Sequence, residues 1–195
     1  MTGSPVISID AMGGDRGPAQ AVAGLARVLK KAPGARFLVH GDAEVLRPLM
    51  ARRRALAEAS EIRHAPDTVR MDERPSRALR EKRQSSMWHA LEAVRSGEAS
   101  VAVSAGNTGA LLAMSVLILR KAPGVDRPAI AVHWPADRPE GYNTVLDVGA
   151  DLRADPHQLA QYAVMGAEYA RVSLGIAHPR VGLLNLGTEP TKGPE

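Results

Sequence analysis

No cysteine occurs among the 195 residues. That excludes disulfides, thiolate metal sites and a cysteine acyl-enzyme, and it fits a reducing compartment. Aromatic residues are scarce: one Phe, two Trp and three Tyr, 3% of the chain against 45% apolar residues overall. A core must therefore be built from Ala, Val, Leu and Ile. The opening MTGSPVISID has neither a basic segment nor a long apolar run, so no signal peptide is expected and the localisation read from it is cytoplasmic. The most apolar stretch, Gly109 to Leu119, is far short of the ~20 residues that span a bilayer. No internal repeat and no low-complexity segment is present.

The net charge of +4 is unevenly placed. Arg47 to Arg83 holds eleven Lys or Arg against six Asp or Glu, while the remainder is nearly neutral. A basic segment on a neutral body suggests an acidic partner. An acidic carrier protein and an anionic membrane surface both fit, as does a solvated arginine-rich helix face. Nucleic acid is disfavoured, because no helix-turn-helix, zinc-finger or aromatic stacking pattern accompanies the arginines.

Residue periodicity predicts alternating strands and helices. Val6 to Asp10 reads as a strand, Pro18 to Lys31 as a helix and Arg36 to His40 as a second strand. A helix is expected from Ala43 to Ala59, bent or broken at Pro48, then a short strand from Glu61 to His64. A polar loop follows, and Pro75 starts one long helix reaching Arg95. Ser100 to Ala105 reads as a buried strand, and Gly109 to Leu119 as a helix buried on nearly all sides. Pro128 to Trp134 and Asn143 to Val148 have only a polar loop between them, which predicts an antiparallel pair. Asp155-Pro156 starts a helix running to about Leu174, and Arg180 to Asn185 reads as a last strand. The βα alternation predicts an α/β fold, three layers α/β/α around a mostly parallel, mixed sheet.

Four strand-end turns carry glycine beside polar side chains: Asp10 to Asp15, Ser104 to Gly109, Asp147 to Asp151 and Asn185 to Glu189. A strand, a glycine turn and a helix start aim backbone N–H groups and a helix dipole at one point, which suits phosphate or another oxyanion. Such turns also serve merely to connect elements. Asn107 or Thr108 is the expected cap of the helix that follows. Lys82 and Arg83 are candidate cations for an anion site, with an exposed helix face as the alternative. Asp10, Asp15 and Asp147 would repel phosphate if unpaired, so they are expected to orient loops or pair with Lys82 or Arg83. A metal on Asp10 and Asp15 is disfavoured, since two carboxylates without a His cluster make a poor site. Ser85 and Ser86 either face the same cleft or pack. His89 shares a helix face with Ser86, and His133 ends a strand; both read more readily as structural histidines than as bases.

These turns, with Arg77 to Met87 and Asp126-Arg-Pro128, resemble the bacterial phosphate acyltransferase family, the fatty acyl-ACP:phosphate transacylases (PlsX). The resemblance spans the whole chain, which it implies is the N-terminal portion of a longer protein. Asp151 stands where that family usually has Asn. The implied reaction is attack of inorganic phosphate on the thioester of acyl-acyl-carrier-protein, giving acyl phosphate for phospholipid synthesis, with no cofactor and no metal. The implied architecture is related to the phosphotransacetylases and to the isocitrate and isopropylmalate dehydrogenases, with the 128–148 strand pair in a smaller subdomain. Against a dehydrogenase stands the lack of GxGxxG. A phosphotransacetylase acting on acyl-CoA, and a phosphate- or carrier-binding fragment, remain open.

Carried onto this sequence, the catalytic candidates are Asn107, Lys82 and Asn185. Asp10, Gly13, Gly14, Asp15, Ser85, Ser86, Gly106, Asn107, Thr108, Gly109, Asp147 and Gly149 are the expected phosphate and thioester contacts. Arg77, Arg80 and Arg83 are the expected docking residues for the acyl carrier protein. The resemblance further implies a homodimer, and a peripheral membrane attachment through parts outside these residues. The 195-residue chain alone is expected to be inactive and to self-associate through uncovered apolar faces.

Overall fold

The computed structural model describes residues 4–137, 141–148 and 154–184. The chain divides into two compact units, Met1–Arg120 and Lys121–Glu195, and each is described by itself. In the first, four parallel strands lie in the order β3-β2-β1-β4: β1 Val6–Asp10, β2 Arg36–Gly41, β3 Ser60–His64 and β4 Val101–Ser104. Their side chains alternate between the two faces. Ile9, Phe37 and Val39 meet Val22 and Leu25 of α1 (Gly17–Lys31), Leu46 and Met50 of α2 (Ala43–Ala51), and Leu56 of α3 (Arg54–Glu58). On the other face Leu38 packs on Ala93 of α5 (Ser86–Arg95). The expected α/β layering is therefore present in this unit.

Several elements differ from the sequence expectation. Pro48 lies within α2, past its middle, where it removes one helical hydrogen bond. The break comes at Arg52 and Arg53 instead, and it turns Leu56 back into the core beside Leu46. The long helix from Pro75 to Arg95 is two helices, α4 (Pro75–Glu81) and α5. Ser85 forces that break. Its hydroxyl accepts from the Trp88 N–H at 3.2 Å as the α5 cap and donates to the Lys82 carbonyl at 2.7 Å. The Gly109 to Leu119 helix, α6 (Thr108–Ile118), buries only the stripe Ala110, Met114 and Ile118, against Ala78 of α4 and Trp88 and Leu91 of α5. Leu117 is 50% exposed, so "buried on nearly all sides" does not hold. β4 is likewise an edge strand, with Val101 and Val103 exposed because no helix of this unit covers them.

In the second unit β5 (Ala131–Pro135) and β6 (Tyr142–Leu146) form the expected antiparallel pair. Helix α7 (Pro156–Leu174) starts with a full capping box on Asp155 and Gln158 and ends at Gly175, whose φ of 68° suits a residue without a side chain. The expected strand from Arg180 joins no ladder through Leu184, since no strand lies alongside it among the described residues; Asn185 falls outside them. No described helix is long and apolar enough to cross a membrane.

Phe37→Ala removes a ring that is 2% exposed at the centre of the first core. It should cost about 3–5 kcal/mol, read as a lower urea midpoint, whereas Leu117→Ala on the open face of α6 should cost about 1 kcal/mol or less. Equal effects would contradict this placement of the core.

Candidate functional site

Parallel strands bring the carboxyl ends of β1 and β4 side by side, with Asp10 paired to Ser104 in register. The Asp10 side chain is 4% exposed. One carboxylate oxygen accepts from the Ser86 hydroxyl at 2.6 Å and the N–H groups of Gly13 and Met12 at 3.2 and 3.3 Å. The other accepts from the Ser104 hydroxyl at 2.6 Å, and that hydroxyl accepts from the Gly106 N–H at 3.0 Å. One buried anion thus ties together the turn after β1, the start of α5 and the turn after β4.

The two turns touch through backbone, which is why both need glycine. A Cβ on Gly13 would stand 2.6 Å from the Asp10 carboxylate and 2.8 Å from the Gly106 nitrogen. Gly14 lies against Ala105 with φ of 93°, a conformation other residues seldom adopt. A Cβ on Gly106 would meet the Met87 side chain at 2.9 Å. Gly109 has a different reason: its Cβ would strike Pro75 at 2.7 Å, so it lets α4 pack on the first turn of α6.

Asn107 caps α6 by accepting from the Ala110 N–H at 3.0 Å. Its amide nitrogen donates to the carbonyls of Arg70, Met71 and Glu73 at 3.2, 3.1 and 2.8 Å. No side-chain donor is left over for an oxyanion. Asn107, expected as a catalytic donor, here has its side chain engaged with the 70–73 segment and the start of α6. Thr108 and Gly109 are exposed at the helix start, and their N–H groups have no partner among the described residues. They are the donors that the start of α6 offers.

The cations are arranged otherwise than expected. Lys82 pairs with Asp67 at 2.7 Å, and this hydrogen bond raises its pKa above the ordinary lysine value. Asp67 also accepts from the Thr68 N–H, and its carbonyl accepts from the Ser86 N–H at 3.0 Å, so it locks the bend between α4 and α5. The guanidinium of Arg83 lies over the Trp88 ring, 5.6 Å from its centroid. Neither cation pairs with Asp10 or Asp15 among the described residues. Asp10 is satisfied by hydroxyls and amides, and Asp15 is exposed without a side-chain partner among the described residues. Arg77 holds Glu81 at 2.7 Å, whereas Arg80 makes no such pair among the described residues. Arg83 lies beyond the end of α4, so the three arginines do not share one helix.

Asp147 belongs to the second unit, just after β6, with φ of 62° and its N–H donating to the Ile130 carbonyl at 2.8 Å. His133 is there too, with its ring nitrogen 3.2 Å from the Tyr169 hydroxyl. Gly149, Asp151 and Asn185 lie outside the described residues.

Sequence reasoning missed Asp67 and His40. Asp67 sat in a polar loop with nothing to single it out. His40 pairs in register with Asp10 and is 5% exposed, and its ring lies parallel to that of His89 at 6.5 Å between centroids. An in-register histidine beside the buried aspartate was the available signal. Burial, reinforced by His89 and Arg63 and opposed by Glu98, lowers the His40 pKa from 6.5 to about 4.

A family described as "Fatty acid synthesis protein" matches residues 6–195. The phosphate acyltransferase of Cereibacter sphaeroides strain KD131 is 59% identical over 191 residues, covering 98% of this chain and 52% of that protein. That of Jannaschia sp. strain CCS1 is 57% identical over 191 residues with the same coverage. The chain spans about half the length of these relatives. Among solved structures, the EutD phosphotransacetylase of Staphylococcus aureus is similar with a TM-score of 0.60 at 19% identity, over 89% of this chain and 54% of that one. A phosphotransacetylase of Streptococcus pyogenes gives 0.60 at 17%, over 86% and 54%. Those two likenesses show the fold.

Unfolded His40 takes up its proton near pH 6.5 and folded His40 only near 4, so its contribution to stability is full above 6.5 and lost progressively as the pH falls toward 4. The span corresponds to roughly 3 kcal/mol. His40→Leu should flatten the decline in urea stability between pH 7 and 4; an unchanged decline would contradict this assignment.

Proposed function

The chain belongs to the fatty acid synthesis protein family, and from that membership we propose that it carries the phosphate-binding part of a phosphate acyltransferase. Fatty acyl-acyl-carrier-protein and inorganic phosphate are the substrates, and acyl phosphate and free carrier the products. The observation that carries the reading is the pair of glycine turns held together by Asp10, with the N–H groups of Thr108 and Gly109 unpartnered beside them.

Phosphate is held by those two N–H groups and the positive end of α6. One phosphate oxygen attacks the thioester carbon. The carbonyl π electrons move to oxygen, and the resulting oxyanion collapses with cleavage of the C–S bond. The electron pair leaves with the carrier sulfur, which takes a proton from solvent. Phosphate is already a nucleophile, so no covalent enzyme intermediate is required. What the protein supplies is position and donors for developing negative charge. Asp10, Ser86, Ser104 and Asn107 act through the backbone they hold. Lys82, paired to Asp67, provides a positive edge without an isolated buried charge. Asp147, Gly149 and Asn185 are proposed as further contacts to phosphate or the thioester.

Arg80 is proposed as the principal contact to the acidic carrier, supported by its exposure and lack of an ion pair, with Arg77 and Arg83 flanking it in sequence. The working place is read as the cytoplasm, with peripheral membrane association through parts outside these residues. The assembly is read as a homodimer, supported by the uncovered Val101 and Val103.

The test is acyl-phosphate formation, trapped as hydroxamate, from palmitoyl-carrier and phosphate in the protein extended to the full length of its relatives. Asp10→Asn should lower kcat/KM on the order of 100-fold, because loosening the turns misplaces the donors. Wild-type turnover of acetyl-CoA without turnover of palmitoyl-carrier would reject the reading in favour of a phosphotransacetylase.

Arg80→Glu should raise KM for the acyl carrier, and more so at low salt, while KM for phosphate stays within about twofold. An equal rise for both substrates would remove Arg80 from carrier docking.

A further inference from the structure

A second concave surface lies at the opposite end of the same sheet. The last turn of α1, the start of β2 and the α3 segment enclose a groove of about 750 Å³, within the roughly 300–1,000 Å³ usual for small-molecule sites. Arg36 is the first residue of parallel strand β2, so the groove sits at the amino ends of the strands, away from the glycine turns at their carboxyl ends. Its floor is apolar, from Leu29, Pro33, Leu56 and Ala59. Its rim is cationic, from Lys30, Arg36, Arg53 and Arg54, with Glu58 the one opposing charge.

Glu58 is already committed: its carboxylate takes Arg54 at 2.9 Å, and its carbonyl takes Arg36 at 3.0 Å. Lys30 and Arg53 make no ion pair among the described residues. The run Arg52-Arg53-Arg54 stands where α2 breaks from α3, and the last turn of α1 ends in Lys30 and Lys31. An apolar trough under a surplus of positive charge suits an alkyl chain with an anionic head. Two guanidinium groups and an ammonium favour a phosphate head, whose several oxygens and greater charge engage more than one cation at once. The concavity favours one chain laid in a trough over a flat bilayer surface.

We propose that this groove binds a single-chain lipid carrying a phosphate headgroup, with the chain along Leu29 and Pro33 and the phosphate among Lys30, Arg36 and Arg53. The site is separate from the glycine turns, and it stands whether or not the chain takes part in acyl transfer.

Hexadecyl phosphate, kept below its micelle concentration, is the probe, and its binding is followed by displacement of a fluorescent fatty acid and by calorimetry. One-to-one binding is expected, weakened at least tenfold by the pair Lys30→Glu and Arg53→Glu. These side chains are exposed and unpaired, so the fold should survive their change; circular dichroism checks this. Ala55→Glu places a negative charge on the exposed groove wall without touching the rim cations, and it should weaken binding in the same direction. Asp10→Asn should leave this binding unchanged, which separates the groove from the glycine-turn site. Lysophosphatidylcholine, whose head has no net charge, should bind at least tenfold more weakly. Equal affinity for hexadecanoate or for inorganic phosphate alone would overturn the assignment. So would binding to phosphatidylglycerol vesicles without binding of the monomeric lipid, or insensitivity to all three charge changes.

Discussion

A single buried carboxylate holds the first unit's functional end together. Asp10 would be costly to bury bare, since the effective penalty for an ion in a protein interior is several kcal/mol. It has four donors, two hydroxyls and two amides. At about 1.5–3 kcal/mol for each hydrogen bond to a charged group, these are of the size needed to offset that penalty. The contacts come from three places in the chain, at residues 12–13, 86 and 104. The anion is therefore stable only when the sheet, α5 and both turns are assembled. A different choice, a lysine partner, would have neutralised Asp10 locally and left the turns free to drift.

That choice also explains why parts of the site were legible in sequence and parts were not. The strands, the two glycine turns and the capping signals are local, and residue type alone announces them. Ser104 and Ser86 lie 94 and 76 residues from Asp10, a separation no periodicity reports. The break between α4 and α5 was hidden for a related reason. Arg77 to Gln84 has good helix formers throughout, and the pairing of Asp67 with the bend joins Ser85 in its role as a cap instead of a mid-helix residue. In the same way the apolar character of Leu117 and of Val101 and Val103 suggested burial that no element of the unit provides.

The arginine-rich segment shows how far charge counting carries. A surplus was visible in the sequence, but its distribution was not. Arg47, Arg54, Arg63, Arg70 and Arg77 each face an acidic neighbour, and exposed pairs of this kind contribute little to stability. Pairing leaves the segment's surplus of eleven cations over six carboxylates in place. Arg52, Arg53, Arg74, Arg80 and Arg83 make no ion pair among the described residues, and they fall at separate positions along the segment.

Asn107 is both the cap of α6 and the clasp on the segment from Arg70 to Glu73, and one planar amide cannot do these jobs independently. Turning its plane to release the three carbonyls withdraws the oxygen from the Ala110 N–H. Opening of that segment and fraying of the first turn of α6 are then coupled through that side chain. In amide hydrogen exchange the protons of Ala110 and its neighbours would lose protection together with the loop. The donors of Thr108 and Gly109 keep their aim only while the loop is shut, so access to the site and loss of its geometry are linked through one side chain.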